Sequence, residues 1–213
     1  MYLTFIHTIH DNIGMKVKTR TEVILEILRK SNGAASAAQL GAIHISGGHI
    51  RHALDKGLIE RVARGVYALP SVFEDDFFCL QSRLKRGVFF CETALFLHGL
   101  SDRTPDRFRM AFPKGYNTSR VDPRVRPTRM EADLHALGVA TILSPGGHPI
   151  AVFDVERTLC DILRPVSHVG VDEVSQAFNR YVRRRTKDLH LLSQYAKRLG
   201  VTPRLRAYLE VLT

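Results

Sequence analysis

The stretch Ser46–Leu69 reads SGGHIRHALDKGLIERVARGVYAL. Ser46 is a good helix N-cap, because its hydroxyl can accept from the backbone N–H groups that a helix start leaves unpaired. Behind it Ile50, Ala53 and Leu54 recur at helical spacing, which leaves His49, Arg51, His52, Asp55 and Lys56 outward. Gly57 ends this helix. Leu58–Val62 and Val66–Leu69 come next as two short strands, joined at Ala63-Arg64-Gly65. Working backwards, Ser36-Ala37-Ala38-Gln39 has the spacing of a capping box and opens a second short helix through Leu40 and Ile43. Thr19-Arg20-Thr21-Glu22 repeats the device before Val23, Ile24, Ile27 and Leu28, and Gly33 stops that helix. Three short helices and then a hairpin is the layout of a winged helix-turn-helix.

That layout carries an expectation about chemistry. A helix fits the major groove of B-DNA, and side chains near its start reach base edges. Ser46, Gly48, His49, Arg51 and His52 occupy those places, with Lys56 further along. Gly47 and Gly48 weaken the helix start but let backbone N–H groups approach a phosphate, which a helix N-terminus also favours. Arg61 and Arg64 on the hairpin would rest on the neighbouring backbone or minor groove. The competing reading is a winged helix used for protein contact, with Arg51 and Arg64 solvated.

The chain has 213 residues, with 31 Lys+Arg against 21 Asp+Glu and a formal charge of +10, which invites a polyanion. Its 45% hydrophobic and 24% charged residues exclude wholesale disorder. Three separated cysteines, Cys79, Cys91 and Cys160, fit a reducing compartment and exclude a disulfide framework or a CxxC zinc site. No apolar run approaches the ~20 residues that span a bilayer, and Tyr2–Ile9 makes a poor signal peptide. A cytoplasmic location is the expectation. Through Pro70 there are nine Lys/Arg and five Asp/Glu, a net of +4, and the remainder carries +6. Pro70-Ser71, with Glu74-Asp75-Asp76 beyond it, is the expected linker between a 15–70 domain and a 75–213 domain.

The second domain alternates strand and helix signals before becoming helical. Asp76–Lys85 and Glu92–His98 read as helices, and Gly87–Phe90, Val139–Leu143 and Ile150–Phe153 as strands. Arg107–Phe112 alternates basic and apolar residues, the signature of a half-buried strand with a basic outer face. Asp154–Leu163, Val171–Arg185, Leu189–Leu199 and Pro203–Leu212 make a helical C-terminal third. Arg180, Arg183, Arg184 and Lys187 fall opposite the apolar stripe Val174, Phe178, Tyr181 and Val182. The fold class is therefore α+β, a winged helix-turn-helix joined to a mixed α/β domain.

Leu58–Leu69, with Arg61, Val62, Arg64, Gly65, Val66 and Tyr67 in order, resembles the end of the winged helix in AbiEi-type antitoxins. Two later stretches are similar as well: Phe90-Cys91-Glu92-Thr93-Ala94-Leu95-Phe96-Leu97-His98-Gly99-Leu100 with Pro105 beyond it, and Gly147-His148-Pro149-Ile150 leading into Val155–Arg164. The resemblance spans roughly residues 20 to 165 and implies two activities. The winged helix would bind double-stranded operator DNA and repress its own operon. The C-terminal domain would neutralise a nucleotidyltransferase-like toxin without needing a stable complex, as in bacterial type IV toxin–antitoxin systems. Arg107, Arg109, Arg180, Arg183 and Arg184 are the expected antitoxin surface. Residues 1–14 have no counterpart in the family, and Gly47-Gly48 departs from a tight recognition-helix start.

The same residues give little chemistry of other kinds. Asp154, Glu156 and Asp161 could bind magnesium, but no Gly-Ser turn precedes a DxD and no P-loop or dinucleotide glycine pattern occurs. Asp154, Arg157 and Asp161, at i, i+3 and i+7, read more simply as an ion-paired surface. His49 and His52 have no ligand-rich neighbours, and His98 reads as a core or C-capping residue. No catalytic residue, cofactor, metal or membrane partner is expected. A winged-helix regulator whose α/β domain senses a ligand or protein, unrelated to any toxin, is the alternative reading.

Overall fold

The computed structural model describes residues 18–70, 72 and 75–212. Residues 1–17, which include the stretch 1–14 and Tyr2–Ile9, together with Ser71 of the linker, Phe73 and Glu74 of the acidic patch, lie outside the described residues. The chain divides into two compact units between residues 72 and 73.

In the first unit, α1 (Arg20–Lys30) starts at the Thr19/Glu22 capping box, where Glu22 Oε2 accepts the Thr19 N–H at 2.7 Å and Thr19 Oγ1 accepts the Glu22 N–H at 3.2 Å. The helix ends at Lys30 with Ser31 as its C-cap, and the chain turns away at Gly33, φ +86°, whose N–H donates to the Leu28 carbonyl at 2.7 Å. A Cβ there would sit 2.6 Å from Val72 Cγ2, so glycine is required for space as well as for φ. Ala34–Ser36 then forms a strand, β1, which the sequence pattern did not announce. Ser36 is both its last residue and the N-cap of α2 (Ala37–Ala42), with Gln39 completing the box. His44, φ +62°, makes the turn into α3 (Gly47–Asp55). The strands β2 (Glu60–Ala63) and β3 (Val66–Ala68) form the hairpin, and β1 pairs antiparallel with β3, giving a three-stranded sheet of order β1-β3-β2. Ile24, Leu28, Ala35, Leu40, Ile45, Ile50, Ala53 and Ile59 form its core.

The second unit is built on a mixed sheet. Its elements are α4 (Asp76–Arg83), β4 (Val88–Phe89), α5 (Cys91–Leu97), β5 (Phe108–Pro113), β6 (Val125–Met130), α6 (Ala132–Ala136), β7 (Val139–Leu143), β8 (Pro149–Phe153), α7 (Val155–Ile162), α8 (Val171–Val182), α9 (Leu189–Arg198) and α10 (Thr202–Leu212). The sheet order is β6-β5-β4-β8-β7, parallel at β5–β6 and β4–β8 and antiparallel at β4–β5 and β7–β8. Alternate strand residues feed two separate cores. Phe89, Met110, Phe112, Ile150 and Val152 pack with Phe77 and Leu80 of α4 and with Leu84 just beyond it. Val88, Ala111 and Phe153 join Leu159, Phe178, Tyr181 and Leu192 from α7, α8 and α9.

Covering both faces changes the reading of Arg107–Phe112. The strand is not half-buried with a basic outer face: Arg109, Met110, Ala111 and Phe112 are all buried. Met110 and Phe112 pack into the core with α4, and Ala111 into the one with α7, α8 and α9, so neither face of β5 meets bulk water. β6 forms the sheet edge and α6 is the short helix after it; the sequence pattern showed neither. Pro127 is tolerated in β6 because an edge strand has one ladder unfilled. The architecture is α+β throughout.

Candidate functional site

The start of α3 is exposed. Ser46, Gly47, Gly48, Arg51 and His52 face solvent, and His49 is half-buried. The expected N-cap has an unexpected second member. His49 Nδ1 accepts the Ser46 N–H at 3.2 Å and lies 3.0 Å from the Ser46 hydroxyl, so an imidazole stands where a capping box usually has a carboxylate. With Nδ1 accepting, the ring proton is assigned to Nε2, which is left as a donor. Gly47 and Gly48 have open space around them: a Cβ on Gly47 would meet nothing within 4 Å, and one on Gly48 only Ser46 Oγ at 3.7 Å. Neither glycine has a positive φ, so neither is demanded by the helix's own geometry.

The structure brings Ser46, Gly48, His49, Arg51 and His52 together on the first two turns of α3. Lys56 is not with them. It is the C-cap residue, ten residues on and so about 15 Å away at 1.5 Å per residue. Arg61 is exposed on β2 opposite Tyr67, where a bulge interrupts the register before Ala63. Arg64 is exposed in the turn with Gly65, φ +77°. The Gly65 carbonyl accepts the Ala37 N–H at 2.7 Å, which ties the hairpin turn to the start of α2.

The basic residues of the second unit are less available than their number suggests. Arg109 is 6% exposed and cannot belong to a surface. Its Nη1 donates to both Glu92 carboxylate oxygens at 3.1 and 3.0 Å and to the Ser167 carbonyl, and its guanidinium lies 5.0 Å from the Phe90 ring centroid. Arg107 donates to the Pro123 carbonyl at 2.7 Å. Arg180 is ion-paired with Asp102 and also reaches the Gly99 carbonyl, and Arg184 donates to the His98 carbonyl. Arg183 is exposed with no partner among the described residues. Arg124 is taken by Asp76 and Asp122, and Lys114 by Glu131. Of the basic residues from Arg103 to Arg129 only Arg109 is buried; Arg107, Lys114 and Arg124 are exposed but engaged by neighbours.

The carboxylates on and before α7 are engaged too. Asp154 caps the helix through the Arg157 N–H at 2.7 Å and accepts the Tyr195 hydroxyl at 2.9 Å. Burial raises its pKa, and raises that of Tyr195 to about 12. Glu156 accepts from the Tyr181 hydroxyl at 2.9 Å and the Asp188 N–H at 3.1 Å. Arg157 and Asp161 are buried together, which corrects the expectation of an ion-paired surface. The reason is that α7 packs beneath α8 and α9 and so has no solvent face. His98 is the C-cap of α5 and lies 2.7 Å from the Phe153 carbonyl through Nε2; burial holds its pKa below the ordinary histidine value. Among the described residues no group of three or more His, Cys, Asp or Glu is placed to hold a metal. No described helix is long and apolar enough to cross a membrane.

Residues 22–70 match the family model described as transcriptional regulator, AbiEi antitoxin. No curated protein matches the chain. The matched segment covers α1 through β3 and includes every residue named above on α3 and the hairpin. Residues 22–70, within the first unit, are thus an AbiEi antitoxin-type transcriptional regulator domain by similarity.

Proposed function

We propose that the protein is a cytoplasmic antitoxin that represses its own operon through the winged helix and counteracts a nucleotidyltransferase-like toxin through the second unit. The observation that carries this reading is the exposed α3 start within the segment matched to AbiEi-type regulators. Ser46, Gly48, His49, Arg51 and His52 face the major groove in this reading, Arg61 and Arg64 meet the adjacent backbone or minor groove, and Lys56 supplies charge at the far end of α3. The Gly47 and Gly48 N–H groups, at the positive end of the helix, accept the approach of a phosphate. Arg183 is the exposed core of the antitoxin surface, with Arg107 a lesser member; Arg180 and Arg184 hold the Gly99–Asp102 segment behind it. No residue is assigned a catalytic role.

Co-expression with the neighbouring gene tests the toxin half: growth arrest by that gene alone, relieved by this protein, is the expected result. Gel-shift titration on the promoter of the same operon tests the DNA half. A neighbouring gene without toxicity, or equal affinity for promoter and scrambled DNA, would overturn the respective half.

A further inference from the structure

The second unit holds a basic recess that neither DNA binding nor toxin neutralisation accounts for. A cavity of about 810 Å³ lies beside β5 and β6, and a smaller one of about 360 Å³ shares Arg109, Arg126 and His168 with it. The larger is walled by Arg109, Lys114, Arg126, Arg129 and Arg164 against two acids, Glu131 and Asp161. Both acids are already taken, Glu131 by Lys114 at 2.5 Å and Asp161 by Arg157 at 2.9 Å and Arg164 at 3.5 Å. Arg126 and Arg129 are exposed and have no ion pair among the described residues.

The second observation is independent of this charge excess. The Arg109 side chain is 7% exposed, and its Nε–H has no hydrogen-bond partner, the one such buried side-chain atom among the described residues. Its Nη1 is fully used, so the guanidinium is held in place, and Arg109 lines both cavities. Buried donors in proteins are rarely left without an acceptor, so this guanidinium is incompletely paired where it borders the recess. An arginine fork clamped by Glu92 on one side presents the geometry that suits phosphate oxygens. Phe90, Met130, Leu134 and Val166 give the same cavity an apolar wall, and its volume falls in the usual range for small-molecule sites.

We propose that this recess binds a small phosphorylated metabolite of nucleoside-phosphate size, with a phosphate between the Arg109 guanidinium and Arg126 and the apolar part against Phe90 and Met130. A free small molecule is favoured over a polynucleotide because Arg109 lies below the surface, out of reach of a duplex backbone. The inference goes beyond the repressor and antitoxin reading and does not depend on it.

The test is calorimetric titration and thermal shift on the full chain at fixed ionic strength. The probes are inorganic phosphate, pyrophosphate, the four ribonucleoside 5′-triphosphates and a single-stranded RNA oligomer, with sodium acetate as the control. Saturable binding of at least one triphosphate, tenfold or more tighter than phosphate, is expected. Arg126→Ala should weaken it at least tenfold without changing the ligand-free melting temperature, and Arg109→Lys, which keeps the charge and removes the guanidinium fork, should weaken it likewise while lowering that temperature through the lost Glu92 and Ser167 contacts. Arg206→Ala, exposed on α10 outside the recess, should leave it unchanged. The proposal is overturned if no mononucleotide or phosphate binds saturably, if only the RNA oligomer binds, if Arg126→Ala binds as tightly as the parent, or if Arg206→Ala loses as much affinity. Promoter binding measured on the same samples separates this outcome from that of the repressor reading.

Discussion

Arg157 Nε donates to Asp161 Oδ2 at 2.9 Å across one turn of α7, and the two side chains are 0% and 1% exposed. The guanidinium also donates to the Leu134 and Leu137 carbonyls at 2.9 and 3.1 Å and lies 4.5 Å from the Phe153 ring centroid. It therefore binds the end of α6 and the chain after it to the helix beneath. Gly138, φ +72°, completes the junction: its carbonyl accepts the Asp154 N–H at 2.7 Å, and a Cβ there would come within 2.9 Å of Arg157 Cβ.

Breaking this pair from one side should be costly, because a buried charge without its partner keeps the full desolvation penalty. Arg157→Met is expected to lower unfolding free energy by about 3–5 kcal/mol, with Arg164 as a secondary partner favouring the lower end. The double variant Arg157→Met/Asp161→Leu should recover at least half of that loss. Urea denaturation of the three proteins decides it; a single-variant loss under about 1 kcal/mol would contradict a buried charged pair.

Gly47 offers two effects of opposite sign. Nothing surrounds the position, so Gly47→Ala should stabilise the first unit by up to about 1 kcal/mol through helix propensity. The added methyl should at the same time weaken promoter binding by holding a phosphate away from the helix start. Melting temperature and gel shift are read on the same preparation, and movement of both in the same direction would count against the phosphate role.

Arg51 and Arg64 should differ in kind. Arg51→Ala is expected to weaken promoter binding by about 1–3 kcal/mol and relax sequence preference, as loss of a base contact does. Arg64→Ala should weaken all sequences about equally and lower the salt slope by about 1. Titrations at several salt concentrations on promoter and scrambled DNA measure both, and unchanged affinity in both variants would remove these roles.

On the second unit, Arg183→Glu is the informative charge reversal. It should abolish rescue from the toxin while leaving the fold and promoter binding intact. Arg180→Ala should instead lower thermal stability, because it releases Asp102 and the Gly99 carbonyl. Rescue that survives Arg183→Glu would place the antitoxin surface elsewhere.

His98 makes stability depend on pH. Its imidazole is kept neutral by burial, with Nε2 facing the Phe153 carbonyl, so the folded state resists protonation more than the unfolded chain does. Stability is then fully present above about pH 6.5, the unfolded histidine value, and is lost as pH falls toward the folded value. His98→Gln keeps an N–H donor without a titrating ring and should flatten the profile between pH 7 and 5. Denaturation midpoints across that range measure the difference, and identical slopes would assign the effect to other groups.

The parts of this fold that were legible in sequence are those written within a few residues of each other. Thr19/Glu22 and Ser36/Gln39 satisfy each other across three positions, and both boxes form. β1 was hidden because Ala34-Ala35-Ser36 has no pattern of its own and becomes a strand only by pairing with Val66–Ala68. Arg109 was misplaced for the same reason at longer range. Alternation with apolar neighbours reads as a solvent face unless the partners are known, and these are Glu92, 17 positions away, and Ser167, 58 away. The recess was invisible in the string because Arg126, Arg164 and His168 come together only through the β5–β6 pairing and the turn after α7. The Ser46–His49 cap sits at capping-box spacing, yet a histidine in place of glutamate gave no signal.

The hydrogen bond from Ala37 to Gly65 fixes more than a turn. Ser36 pairs with Val66 in the sheet and also begins α2, so the hairpin that presents Arg64 and the helices that present Arg51 share one splice point. The two contacts then behave as the jaws of a caliper with no adjustable joint. In the proposed DNA-binding reading, the distance between groove and flank is set by this scaffold, and an operator that did not match that gauge would have to bend to meet it.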